Sequence, residues 1–180
     1  MRVNQRHYRT IWLHPENPRL VQIIDQLHLP FEFIVRDIAD SATMARAIRE
    51  MQVRGAGLIG AAAGFGMYLA ALEFSGCATE DLFTQALTEA GTRFKATRPT
   101  AVNLEWAVQR QLSALAAVPT IEAKIAAARQ MAQAIADEDA EHCRRIGVTP
   151  ARFVTALITE RGICPHWKRS IRPSGKAVWI

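Results

Sequence analysis

The sequence predicts an α+β chain, a small N-terminal antiparallel β-meander followed by a mostly α-helical bundle. Three observations lead to this fold class. Residues 8–37 contain three β-branched or aromatic runs separated by turn chemistry, and residues 41–158 contain apolar positions recurring at steps of three and four between capping residues. The third is the stretch from Gly55 to Leu72, which carries no charge and reads as a helix apolar on every side, the kind expected at the centre of a domain. The reading assigns 1–38 to the meander and 39–160 to the helices, as one domain, and 161–180 to a divergent basic tail.

The strands come first. Tyr8–Leu13, Leu20–Ile24 and Phe31–Val35 are the three runs, with His14-Pro15-Glu16-Asn17-Pro18 as the first turn and Leu29-Pro30 as the second break. Phe31, Phe33 and Val35 alternate with Glu32 and Ile34, as in a sheet with one packed face. Asp40 or Ser41 caps the first helix, whose apolar positions are Met44, Ala45, Ile48 and Met51, and which ends at Arg54-Gly55. The uncharged helix follows. Its Gly60-x-x-x-Gly64 spacing reads as close packing in a soluble core rather than membrane dimerisation, since alanine and glycine contribute little transfer energy.

Thr79-Glu80-Asp81 opens the next helix, with Leu82, Phe83, Ala86, Leu87, Ala90 and Phe94 as its buried stripe. Pro99 then fixes a turn and Thr100 caps a helix through Leu104, Val108, Leu112 and Leu115. Thr120 begins a long alanine-rich helix to Ile146 with Gly147 as its stop, and Thr149-Pro150 starts a shorter one. The acidic cluster Asp137, Glu138, Asp139 and Glu141 has only His142 as a neighbouring imidazole, so it reads as a solvated face and not a metal site.

Composition narrows the function classes. The hydrophobic content of 49% is that of a folded chain and not a disordered one. The net charge of +5 suggests a nucleic-acid binder, but Arg161, Lys168, Arg169, Arg172 and Lys176 fall in the last twenty residues, which hold no acid. Of the 22 basic residues, 17 remain over positions 1–160, against 17 acidic ones, so the body is balanced and nucleic-acid binding is disfavoured. Three widely spaced cysteines without a Cys-x-x-Cys pair fit a reducing cytoplasm, and no apolar run of signal-peptide length follows the N-terminus. No cofactor, metal or membrane partner is called for.

The candidate site is the junction Arg54-Gly55-Ala56. The first N–H groups of a helix have no intrahelical partner, and its dipole attracts anions, so an arginine and a glycine there suit a phosphate or carboxylate. Arg98, just ahead of Pro99, stands at a second helix start. The alternative is a plain helical joint with a solvated arginine.

Two separated segments carry a resemblance: Val53-Arg54-Gly55-Ala56 with Ile59-Gly60, and Ala96-Thr97-Arg98-Pro99-Thr100-Ala101-Val102-Asn103. With Tyr8-Arg9-Thr10-Ile11-Trp12, Ile24-Asp25-Gln26 and Leu29-Pro30-Phe31-Glu32, they resemble the methylthioribose-1-phosphate isomerases. That superfamily also includes regulatory subunits of translation initiation factor 2B and ribose-1,5-bisphosphate isomerases. The resemblance covers most of residues 7–147, with Glu138 through Arg144-Arg145-Ile146-Gly147 similar to the end of the family's long helix. It implies a sugar-phosphate substrate contacted by Arg54, Gly55, Ala56 and Arg98, a possible homodimer, and a Rossmann-like second domain that is expected to be absent from this chain.

Departures from the family pattern bear on activity. Proline is usual where this chain has Gly57. The family's catalytic cysteine lies in a Thr-His-Cys-Asn segment, whereas Cys164 sits in Ile163-Cys164-Pro165-His166, so no catalytic residue is assigned. A truncated product, a shifted reading frame over the last twenty residues, and a free-standing domain all fit this end of the chain. The expected function is a substrate-binding domain of the isomerase type, inactive alone; the alternative is a regulatory or interaction domain of the initiation-factor type.

Overall fold

The computed structural model describes residues 2, 3 and 5–161, and Cys164 and residues 162–180 of the basic tail lie outside the described residues. The chain divides into two units after Ala140. In the first, β1 (Arg2–Val3) and β2 (Arg6–His7) form a short antiparallel ladder that the strand pattern did not anticipate. A three-stranded antiparallel sheet follows, ordered β3 (Ile11–Leu13), β4 (Val21–Ile24), β5 (Val35–Ile38). Register pairs Ile11 with Ile23, and Val21 with both Leu13 and Ile38, so one face presents an aliphatic set to the helices. On the other face Trp12 Nε1 donates to Gln22 Oε1 at 2.8 Å, and Gln22 Nε2 donates to Asp37 Oδ1 at 2.7 Å, a polar chain across all three strands.

The third strand corrects the sequence reading. It begins at Val35, and Phe31 is 92% exposed. Residues 26–33 are taken by a loop whose amides have other partners: Phe31 N–H and Glu32 N–H both donate to His28 O at 3.0 Å, and Leu27 N–H donates to Asp25 Oδ1 at 3.0 Å. Those donors are therefore lost to a ladder. Phe33 instead meets Tyr8, with ring centroids 4.9 Å apart.

Five helices follow: α1 (Ser41–Arg49), α2 (Ala56–Glu73), α3 (Glu80–Thr97), α4 (Val102–Ala116) and α5 (Ile121–Arg161). Asp40 caps α1 through Thr43 N–H at 2.6 Å, and Thr79 and Thr120 cap α3 and α5 through Leu82 N–H and Ala123 N–H at 3.3 Å each. The uncharged segment is the core helix, as its composition required. Fourteen named residues of α2, from Leu58 to Ala71, are buried. By length and composition Ala56–Gly76 could cross a membrane, but 78% of its apolar window lies inside the fold.

Small residues let neighbours approach α2 closely. A Cβ at Gly60 would stand 3.0 Å from the backbone oxygen of Asn103 in α4, one at Gly64 would stand 3.2 Å from Ile135 Cδ1 in α5, and one at Gly66 would strike the ring of Phe94 in α3 at 2.2 Å. Gln111, fully buried in α4, donates from Nε2 to Gly64 O at 2.9 Å and Ala128 O at 3.0 Å, tying three helices together. Since Asn103 lies beside Gly60 and Gln111 beside Gly64, α2 and α4 run in the same direction.

Three further expectations are corrected. Leu82 is 52% exposed and Ala86 half-buried, so the buried stripe of α3 is Phe83, Leu87, Ala90, Gly91 and Phe94. The residue capping α4 is Ala101, without a side-chain bond, because Arg98–Ala101 form a turn closed by Ala101 N–H to Arg98 O at 3.0 Å. Gly147 does not stop α5: only Gly55 among the described glycines takes a positive φ, so the left-handed turn that ends helices is not formed at Gly147, and the helix continues to Arg161. The acidic cluster, read as a solvated face, lies largely exposed and carries surface ion pairs. Arg9 donates to Asp137 Oδ1 at 2.9 Å, Arg110 forks onto Glu138 at 2.6 and 2.7 Å, and Arg144 and Arg145 donate to Glu141 at 2.6 to 2.9 Å. The Arg144 and Arg145 bonds hold the Glu141 carboxyl down at about 2.

Candidate functional site

The site is built where α1 ends and α2 begins. Three hydrogen bonds close α1: Glu50 N–H to Arg46 O at 2.8 Å, Met51 N–H to Ile48 O at 3.3 Å and Gln52 N–H to Ala47 O at 2.9 Å. The last two have the spacing of a Schellman stop, in which one residue turns left-handed. Here that residue is Met51, at φ 64°. The sequence pattern counted Met51 among the helical apolar positions, whereas it lies beyond the helix. Gln26 N–H donates to Gln52 O at 2.9 Å, so the loop after β4 holds the next peptide from outside. Val53 is fully buried and anchors the segment, and Arg54, Gly55 and Ala56 emerge at the surface.

Gly55 takes φ 97°, a conformation that disfavours any side chain, and a Cβ there would meet nothing within 4 Å. It starts α2 with no side-chain cap. The same holds for α4 at Ala101. Thus α2 and α4 both begin at N-cap residues whose own side chains make no capping bond, each a few residues after an arginine, and the Gly60–Asn103 approach sets the two helix starts side by side. Two aligned helix dipoles then favour negative charge over the same patch of surface.

The structure brings the two arginines to one residue. Arg54 Nε donates to the carbonyl of Met51 at 3.2 Å, and Arg98 Nη1 meets the thioether sulfur of the same methionine. Among the described residues neither guanidinium pairs with a carboxylate, unlike Arg9, Arg36, Arg110, Arg144 and Arg145. Arg54 is exposed and Arg98 half-buried. Arg98 lines a hollow of about 350 Å³ with Thr92, Pro99, Ala101 and Leu104, across which Lys95 and Glu105 pair at 3.3 Å. A wider hollow of about 710 Å³, around Tyr68, Leu72, Ile125 and Arg129, includes none of the four site residues.

Asp139 borders the junction, and Asp25 precedes the Gln26 that bonds Gln52. A Cβ at Gly57 would stand 1.7 Å from Asp139 Oδ1, so the carboxylate of α5 closes over the first turn of α2 only because position 57 is glycine. Asp25, fully buried, receives Arg36 Nε at 2.5 Å and Leu27 N–H at 3.0 Å, with His28 Nδ1 at 3.3 Å. Burial pushes its carboxyl up, but the bonds from Arg36 and Leu27 and the charges of Arg36 and His28 outweigh that and hold it below the ordinary value. No signal of spacing or period marks Met51 or Asp139, since both contacts join segments distant in sequence.

Fold and geometry together give an α+β domain in which two arginines meet at the start of the core helix. The chain belongs to the Initiation factor 2 subunit family, whose profile matches residues 52–148. It is 42% identical over 156 residues to a methylthioribose-1-phosphate isomerase of Paramagnetospirillum magneticum, covering 87% of this chain and 41% of that protein. Its fold matches the crystal structure of 5-methylthioribose 1-phosphate isomerase from Pyrococcus horikoshii, with a TM-score of 0.66 and 39% identity over 72% of this chain and 36% of that one. It also matches translation initiation factor eIF-2B, subunit delta, from A. fulgidus, with a TM-score of 0.63 and 31% identity over 76% and 37%. The chain spans about two-fifths of the length of the curated relatives it matches.

Proposed function

We propose that this chain is a cytoplasmic sugar-phosphate-binding domain of the methylthioribose-1-phosphate isomerase type, in which Arg54, Gly55, Ala56 and Arg98 grip the phosphate. The observation that carries the reading is the meeting of Arg54 and Arg98 at Met51, beside two helix starts whose N-cap residues make no side-chain bond. Guanidinium forks and free backbone N–H groups are the donors a phosphate dianion takes. Aldose–ketose isomerisation moves hydrogen between adjacent carbons and needs an acid and a base in a water-poor pocket. The junction supplies cations, N–H donors and the single carboxylate of Asp139, and in this reading the chain binds substrate without converting it. A regulatory role of the initiation-factor type is the second reading, favoured by the likeness to the delta subunit.

Calorimetric titration of the purified 180-residue chain with methylthioribose 1-phosphate, with product analysis on the same samples, tests this. Saturable binding without methylthioribulose 1-phosphate formation is expected, with Arg54→Ala and Arg98→Ala each weakening binding roughly tenfold, the size of one charge-assisted hydrogen bond. Turnover would refute the inactivity, and binding insensitive to both substitutions would refute the site.

A further inference from the structure

We infer that Met51 is a positioning residue for the anion site, the one residue that holds both arginines; this rests on the two-arginine reading above. Glycine is the usual residue at the left-handed position of a Schellman stop, because a Cβ is strained there. This chain places a methionine at φ 64° instead. Backbone strain of this kind persists where the surroundings over-determine it, and it clusters at functional sites.

The surroundings here are specific. The peptide after Met51 is pinned by Gln52 N–H to Ala47 O and by Gln26 N–H to Gln52 O, both at 2.9 Å. With the backbone fixed, the Met51 carbonyl is the acceptor for Arg54 Nε, and its sulfur is the contact for Arg98 Nη1. Among the described residues neither guanidinium group bonds to any other group. A glycine would make the same turn with less strain, but it would leave Arg98 with no side chain to rest on. A thioether is a weak acceptor that does not neutralise a guanidinium, so the Arg98 charge stays available to an anion while its direction is set.

The test uses the full chain carrying Met51→Gly or Met51→Asn, both of which suit left-handed backbone and lack the thioether. Two quantities are read: affinity for ribose 1-phosphate, and the side-chain Nε–Hε NMR signal of Arg98, assigned with Arg98→Lys. In both variants the unfolding midpoint should not fall, since strain relief offsets the added chain freedom. Affinity should drop roughly tenfold, and the Arg98 signal should change from that of an ordered group to that of a freely moving one. A rigid Arg98 signal with unchanged affinity in both variants would overturn the inference, as would a loss that only tracks a lowered midpoint. If the unsubstituted chain fails to bind ribose 1-phosphate, the two-arginine reading falls, and the Arg98 signal still decides the role of Met51.

Discussion

Phe94→Ala is expected to destabilise the first unit by about 3–5 kcal/mol, the range for deleting a buried phenyl ring, and to lower the thermal midpoint by roughly 10 °C. Phe94 is 1% exposed, and its ring fills the space that a Cβ at Gly66 would need, so the ring is packed directly on the backbone of α2. The effect should reach the site. Thr97 Oγ1 donates to Phe94 O at 2.6 Å in the last turn of α3, and Arg98 follows directly. Under the proposed function, a loosened α3 end should weaken ribose 1-phosphate binding as well as stability. Leu82→Ala is the control from the same helix: half-exposed, it should cost less than about 1 kcal/mol. Comparable denaturant midpoints for the two variants would contradict this packing.

Asp25→Asn should cost about 2 kcal/mol at neutral pH, in the range for hydrogen bonds to charged groups. Arg36 is nearly half exposed and can return to water, which keeps the loss below that of a fully enclosed pair. The pH dependence follows from the depressed carboxyl. The folded state binds the Asp25 proton less readily than the unfolded chain, so its contribution is complete above the ordinary value of 3.8 and is lost as pH falls through the lower folded value. Urea unfolding at a series of pH values should show the gap between the unsubstituted chain and Asp25→Asn wide at pH 7 and shrinking below about pH 3.8. A gap that is constant across that window would sink the assignment.

Much of the architecture was legible because local chemistry and global packing agree. Asp40, Thr79 and Thr120 cap helices where the sequence places them, and the absence of charge from Gly55 to Leu72 marks the core helix. The third strand was misplaced because alternation in Phe31–Val35 imitates a strand, while the His28 carbonyl takes the amides that a ladder needs. Gly147 reads as a stop from its residue type, but a glycine ends a helix only when its backbone turns left-handed, which a sequence does not show. The same limit hid Met51, where the left-handed turn fell on a residue that the pattern counted as helical. Arg54 and Arg98 were legible as separate helix starts; their shared contact depends on the parallel course of α2 and α4.

In the proposed function, Arg54 and Arg98 hold one anion together. A double-mutant cycle on ribose 1-phosphate affinity, using the full chain with Arg54→Ala, Arg98→Ala and both, measures this directly. A coupling is expected: once one arginine is gone, removing the second costs measurably less or more than it does alone, by at least about 0.5 kcal/mol. Strictly additive losses, or losses from neither substitution, would contradict it.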